Sequence, residues 1–384
     1  MQTYTHRQRV LSALDHRQPD RVPLDLGTVA SGLTREAYER LKVALGIDSP
    51  TQVWQRRNLA QIDEAILRRF DIDTRQLVPE GPISETAGGA VSPTYVDAWS
   101  VVWHAVPGRP YLPERGPFDS HTSLADLSAF PWPDPTDPKY TAGLAEKARA
   151  ARAAGDYAIV MGLNGRVFTL GQFMCGFEEW CVRLLQDKPF AAALMDRGLE
   201  IQLEIIGRQL AAVGDNVDVV CISEDLGMQS GPLMSPRLYR EMIKPRHKRL
   251  FEFIRSRTRA RLLLHCDGAI YDLLPDLIDT GVEALNPVQV SAAGMGDTAR
   301  LKREFGRHLT FWGAIDTNWV LPRGAPADVR EEVRRRIADL APAGGYVLAS
   351  VHNIQPEVPP ENICAMFEAA REFGGYTAGA DQKD

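Results

Sequence analysis

Over the last two thirds of the chain, short apolar runs alternate with longer stretches of helical periodicity. The runs "YAIVMGL", "VDVVCIS", "RLLLHC", "VEALN", "LTFWGAI" and "GYVLASV" have strand length and are apolar throughout, as expected of strands buried on both faces. Between them, "SPRLYREMIKPRHKRLFEFI" opens with Ser235 as N-cap and Pro236 at the first helical position. Pro245 predicts a kink inside it. "PADVREEVRRRIADL" places Val329, Val333, Ile337 and Leu340 on one helical face, and "PPENICAMFEAAREFG" does the same with Ile363, Met366, Phe367 and Ala370 before a glycine stop. Strand and helix alternate as regular β/α units over residues 141–376, which predicts a parallel sheet. No GxGxxG follows any run, so the doubly wound fold lacks its phosphate signature. The predicted architecture is an α/β fold, a (β/α)8 TIM-type barrel, with residues 1–384 forming a single domain.

The first 140 residues read differently. "HRQPDRVPLDLG" suggests helix, turn and strand, and "TREAYERLKVALGI" an amphipathic helix stopped at Gly46. From Pro79 to Pro138 prolines are frequent, and Trp99, Trp103, Tyr111, Phe130 and Trp132 lack periodic spacing. Residues 1–140 are therefore expected to form a loop-rich covering segment over the barrel.

Composition narrows the function. A chain of 384 residues, 44% hydrophobic and 24% charged, fits a soluble globular protein, and a net charge of -6 argues against nucleic-acid binding. Five scattered cysteines without a CxxC pair suit a reducing compartment. No signal-like segment and no run of eighteen apolar residues is visible, so a cytoplasmic protein without membrane association is expected. No solenoid repeat is visible, and the tail "AGADQKD" reads as a frayed end.

The chemistry lies at the strand ends. Asn164 and Arg166 follow the first run, Glu224 and Asp225 the second, and His265 and Asp267 the third. Asn286 and Gln289, then Asp316 and Asn318, then His352 and Asn353 follow the remaining three. Parallel barrel strands bring their C-terminal ends to one rim, where active sites of such barrels sit. Each polar end alone could be a helix cap; two histidines with four acids on one rim point to a site.

Side chains alternate along a strand, so His265 and Asp267 share a side while Cys266 faces away and reads as packing. His265 and Asp267 can present an imidazole and a carboxylate to one point, with His352 as a third ligand of the kind zinc accepts. Glu224 or Asp225 is placed as a fourth ligand or a proton-transfer group, and His352 also as a proton donor. Asn164, Asn286, Gln289, Asp316 and Asn353 are expected to orient a substrate, and Arg166 to hold a carboxylate. Cys175, Cys181, Cys221 and Cys364 read as core, and the remaining histidines have no visible partner.

At these residues the chain resembles the uroporphyrinogen decarboxylase superfamily, more closely its methyltransferase-like branch. The likeness rests on "QPDRVPLDLG", "SEDLGMQSGPLMSPRLYREMIKP", "LLHCDGAI", "LNPVQ", "FWGAID" and "GGYVLASVHNIQPEVPPENI", and it implies a barrel with its site at the strand C-termini. The decarboxylases' RQAGRY segment is missing; "DRVPLDLG" stands in that region. The resemblance to zinc methyltransferases of the branch maps their H-x-C pair onto His265 and Asp267, and a distant cysteine onto His352, ten residues before Asn362. A His, His, carboxylate set leaves zinc a stronger Lewis acid than thiolates do. The resemblance therefore implies methyl transfer from a small methylated donor, such as a methyl ether, to a corrinoid on a separate protein. No D-x-H-x-x-G corrinoid signature occurs, and "DSHTSL" lacks its glycine. A cofactor-free lyase acting on a small carboxylated substrate is the alternative, and a binding protein with a decayed site is a third reading. A homodimer is compatible with a barrel of this size.

Overall fold

The structure, a computed structural model, describes residues 4–28, 31–79 and 92–376; the tail "AGADQKD" lies outside them. Its centre is a parallel sheet of β1 (Thr74–Leu77), β2 (Ala158–Leu163), β3 (Val219–Ser223), β4 (Arg261–His265), β5 (Ala284–Asn286), β6 (Thr310–Ile315) and β7 (Tyr346–Ser350). The strands follow one another in chain order around the sheet, and every pairing is parallel. The gap between β7 and β1 is bridged by the segment 22–26. Leu24 pairs in parallel with Leu348, and its carbonyl accepts the Asp73 N–H at 2.9 Å. This is a TIM-type α/β barrel, as the alternating pattern predicts.

Two of its staves, 22–26 and β1, come from the first 80 residues. The expectation that residues 1–140 only cover the barrel is corrected on this point. The first helix, α1 (His6–Leu14), is also part of the barrel, because it plugs the floor with Val10, Ala13 and Leu14. Its N-terminus is held by a capping box of Thr5 and Gln8.

Strand alternation sorts the apolar residues into two cores. Ala158, Val160, Val219, Cys221, Leu263, Ala284, Trp312 and Val347 fill the barrel interior. Their neighbours Ile159, Met161, Val220, Ile222, Leu262, Leu264, Leu285 and Phe311 face outward into the larger core beneath the helices. A strand buried on both sides must be apolar at every position, which is why these runs show no polar alternation.

Around the sheet lie α2 (Phe168–Cys175), α3 (Lys188–Val213), α4 (Lys244–Arg255), α5 (Pro326–Leu340) and α6 (Pro360–Phe373). The kink predicted at Pro245 appears as a π-helical turn at Tyr239–Ile243 leading into α4. Proline cannot donate to the carbonyl four residues back, so the ladder widens just before it. A three-stranded antiparallel flap, Thr94–Val96, Val102–His104 and Leu112–Arg115, stands beside the barrel mouth. Among the described residues, no helix is long and apolar enough to cross a membrane.

Candidate active site

The interior-facing parity of β4 continues past its last residue. Leu263 points into the barrel, and so do His265 and Asp267, while Cys266 is buried in the outer core. His265 pairs in register with Ser223 on one side and Asn286 on the other. That register puts the Asn286 side-chain oxygen 2.6 Å from His265 Nδ1. Asn286 donates in turn to the Trp312 carbonyl at 3.2 Å, which fixes its oxygen toward the histidine. His265 thus donates from Nδ1 and turns Nε2 to the cavity, the arrangement expected of a metal-binding imidazole with its outer hydrogen bond satisfied.

His352, just beyond β7, completes the group. Asp267 Oδ2 lies 3.5 Å from His265 Nε2 and 3.8 Å from His352 Nε2, and the two imidazole centroids are 5.7 Å apart. One ligand atom from each of the three residues lies within 4.8 Å of the others. Zinc bonds of about 2.0–2.2 Å would set tetrahedral ligand atoms about 3.3–3.6 Å apart. The carboxylate therefore stands near ligand spacing from both rings, and closing the remaining gap needs only a modest ring movement. The donor set of two imidazoles and one carboxylate fits a borderline divalent ion.

Electrostatics in the absence of a cation follow from the same geometry. Burial disfavours the His265 imidazolium, but Asp267, Asp225 and Asn286 outweigh it and raise the pKa to about 9. Burial also opposes ionisation of Asp267, yet the His265 charge holds its carboxyl below the ordinary range. His352 is lowered, chiefly by burial, with Asp267 opposing and His265 assisting the shift. Asp225 is raised by burial and by the charges of Asp267 and Glu224, against the opposing pull of His265. Its Oδ1 is buried with no hydrogen-bond partner among the described residues.

These groups line a cavity of about 290 Å³ at the barrel mouth, together with Arg57, Asn164, Arg166 and Ser223. On the far side of Asp267 and His352 opens a more exposed bay of about 400 Å³, bordered by Gln289, Asn318 and Asn353. Gln289 and Asn353 use their side-chain oxygens to pin loops, accepting from Gly268 N at 2.7 Å and Gly32 N at 2.8 Å.

Three expectations need correction. Glu224 does not join His265, Asp267 and His352: it follows Ser223 and faces outward. Its carboxylate accepts from Val167 N, Phe168 N, Thr169 N and Thr169 Oγ1 at the start of α2, with His247 Nε2 3.4 Å away. It is fully buried, and burial works against its charge, but His247 and the N–H donors hold its pKa below the usual range. The alternation that separates His265 from Cys266 also separates Asp225 from Glu224, so the sequence carried that signal. Asn286 supports His265 from below and does not border either cavity. Asp316 is also withdrawn from them, because positive φ at Gly313 (+123°) and Ala314 (+75°) breaks the alternation of β6. Its carboxylate accepts instead from Asn318 N at 2.9 Å and Val320 N at 3.4 Å. Arg57 and Ser223, which do line the site, carry no sequence signal that separates them from surface arginines and strand-end serines.

The uroporphyrinogen decarboxylase (URO-D) family pattern matches residues 111–373. A uroporphyrinogen decarboxylase from Alkalilimnicola ehrlichii is 25% identical over 381 residues, covering 95% of this chain and 93% of that protein. Another from Ectopseudomonas mendocina is 27% identical over 262 residues, covering 65% of this chain and 69% of the relative. A solved methyltransferase from Methanosarcina mazei shares the fold, with a TM-score of 0.67 and 20% identity, covering 97% of this chain and 99% of its own. With the family pattern running through the strands that carry His265, Asp267 and His352, the chain belongs to the uroporphyrinogen decarboxylase (URO-D) family.

Proposed function

We propose that this protein is a metal-dependent methyltransferase that takes a methyl group from a small methylated donor, a methyl ether or alcohol, and passes it to a corrinoid carried by a partner protein. The observation that carries the reading is the convergence of His265, Asp267 and His352 within 4.8 Å at the barrel mouth. These three would hold the ion, and a bound zinc-class ion supplies Lewis acidity to a donor oxygen. The Asn286 bond orients His265, and Asp267 supplies the anion that makes the site attractive to a cation.

In the transfer the donor's C–O bond breaks and its electron pair stays on oxygen. The methyl group passes to the nucleophilic acceptor, which contributes the pair for the new bond. The departing oxygen then needs a proton. Asp225 Oδ1 is buried, unpartnered and raised in pKa by its surroundings, so it suits the delivery of that proton. The second bay beyond Asp267 and His352 gives an acceptor a separate approach.

Metal analysis tests the reading directly. Gently purified protein is expected to carry close to one equivalent of a divalent ion, and chelation to abolish methyl transfer to cob(I)alamin. Less than about a tenth of an equivalent would defeat the metal reading, given the affinity usual for such sites. A second reading, a cofactor-free carboxy-lyase, draws on the curated relatives named uroporphyrinogen decarboxylase and on Arg57 and Arg166 beside Asp225. It expects full activity after chelation, so the same experiment separates the two.

A further inference from the structure

The cavity at the barrel mouth has a neighbour. A second chamber of about 290 Å³ shares Arg57, Asn164 and Arg166 with it and extends away beneath the flap. Its wall is aromatic. Tyr95 and Trp103 lie nearly parallel, with centroids 6.1 Å apart and planes at 7°. Tyr111 leans on Tyr95 at 5.3 Å, and Phe173 meets Trp103 edge-on at 5.1 Å. The flap side chains are fixed from behind by Asp97, which accepts from Trp103 Nε1 at 2.9 Å, Trp99 N at 2.8 Å and Val101 N at 3.0 Å. Both Asp97 oxygens are thereby engaged within the flap.

Arg166 stands at the junction of the two chambers. Arg166 is anchored through its backbone, whose N–H donates to Gln202 Oε1 at 2.5 Å and whose carbonyl accepts from Gln202 Nε2 at 2.8 Å. Its guanidinium has no hydrogen bond or ion pair among the described residues and sits 5.4 Å from the Phe173 ring. Burial and the nearby Arg57 charge both lower its pKa, against the pull of Glu224, Asp225 and Asp97. A guanidinium so placed favours an incoming anion, and its planar fork matches a carboxylate. Tyr95, Trp99 and Trp103 precede the family match at residues 111–373, whereas Tyr111, Arg166 and Phe173 fall within it.

We propose that this chamber binds the body of the substrate, a single-ring aromatic carboxylate, with its ring against Trp103 and Phe173 and its carboxylate on Arg166. A cavity of about 290 Å³ lies at the small end of the range for enclosed ligands and takes one ring rather than a macrocycle. Flat aromatic walls hold a planar ring by stacking, while Arg166 distinguishes the acid from its neutral analogue. The assignment of the ring's methylated substituent to the metal-binding cluster rests on the function proposed above; the binding of the ring and its carboxylate does not.

Calorimetric titration of the full-length protein, with tryptophan fluorescence as a second signal, tests the chamber using benzoate and benzamide as probes. Benzoate is expected to bind with quenching and at least about tenfold more tightly than benzamide, the effect of one charge-assisted contact. Arg166→Gln should erase that preference while leaving benzamide binding unchanged, and Arg166→Lys should restore part of it. Equal binding of the two probes, no binding of benzoate at millimolar concentration, or a preference that survives in a folded Arg166→Gln protein would overturn the proposal. Titrating chelated protein keeps this result independent of methyl transfer. Charge-dependent benzoate binding without turnover of methoxybenzoates upholds the chamber and counts against the methyltransferase reading alone.

Discussion

Acidic residues collect at both ends of the barrel, and the two ends satisfy them in opposite ways. At the floor, Asp73 is fully buried and accepts from Arg9 at 2.6 Å, His6 at 2.8 Å, Arg21 at 2.8 Å and Leu24 N at 2.7 Å. Asp218, before β3, is held by Arg7 at 2.8 Å, Arg152 at 2.5 Å and Ile159 N at 2.8 Å. Both link the staves of the N-terminal half. At the mouth, Asp225 keeps an unpartnered oxygen, and Asp267 sits 3.5 Å and 3.8 Å from two imidazoles, beyond good hydrogen-bond length. Buried polar groups left unmet cost stability. The floor leaves little unmet and serves the fold; the mouth leaves lone pairs and a guanidinium open, as a ligand site requires.

If that contrast is right, the largest effect comes from the mouth. Asp267→Asn removes the anionic ligand and is expected to strip the metal and reduce turnover by about 10³-fold or more, since Lewis-acid stabilisation is worth several kcal/mol. Circular dichroism should still show the folded protein. Loss of the fold, or full activity, would break the comparison. Asp73→Asn should do the reverse. It leaves Arg9 and Arg21 short of a buried partner and should lower stability by about 3 kcal/mol, read by denaturant unfolding. Metal content per folded molecule should not change.

Asp225→Asn sharpens the contrast within the mouth itself. Asp225, half-buried with its Oδ1 enclosed, has no cationic partner at bonding distance, so removing its ionisable group relieves desolvation and like-charge repulsion. Stability is expected to hold or to rise by up to about 1 kcal/mol. Turnover should fall about 10²-fold through loss of the proton donor. A marked drop in stability would mean that Asp225 belongs with the structural acids.

The sequence made the mouth more legible than the floor, for physical reasons. Strands β2 to β7 are buried on both faces and announce themselves as apolar runs, and the H-x-D spacing of His265 and Asp267 transfers directly to one side of β4. The stave at 22–26 was legible as a strand in "HRQPDRVPLDLG", but Pro23 removes a ladder donor and the pattern gave no sign that it closes the barrel. β1 begins Thr74, Arg75, Gln76, too polar to stand out: Thr74 Oγ1 donates to the buried Asp25 carboxylate and Arg75 pairs with Glu64. Glu224 was legible by the same alternation that turns Cys266 outward, whereas its partners, Val167 to Thr169, lie more than fifty residues earlier and carry no local signal. Asp316 was misplaced because the left-handed turn at Ala314 cannot be read from an alanine. The aromatic flap showed only as unpatterned aromatics; packing, not periodicity, gives them a common surface.

The last predicted effect is a dependence on pH that runs in opposite directions with and without metal. In the metal-free protein the His265 pKa is raised from 6.5 to about 9, so the folded state binds a proton that the unfolded state releases earlier. Its stabilising contribution is complete below about pH 6.5 and is lost as pH rises through about 9. Chelated protein should therefore lose stability across this window. An imidazole ligand must be neutral, so metal binding expels that proton. Affinity should climb toward about tenfold per pH unit over the same range, and saturation at fixed zinc should protect the protein more as pH rises. His352, lowered by its burial, is already neutral there and adds no second proton. His265→Gln should flatten both trends, because the proton and the ion compete for the same Nε2 lone pair. Parallel slopes in the chelated and metal-loaded protein would place the ion elsewhere, and the open end of the barrel would then need a different occupant.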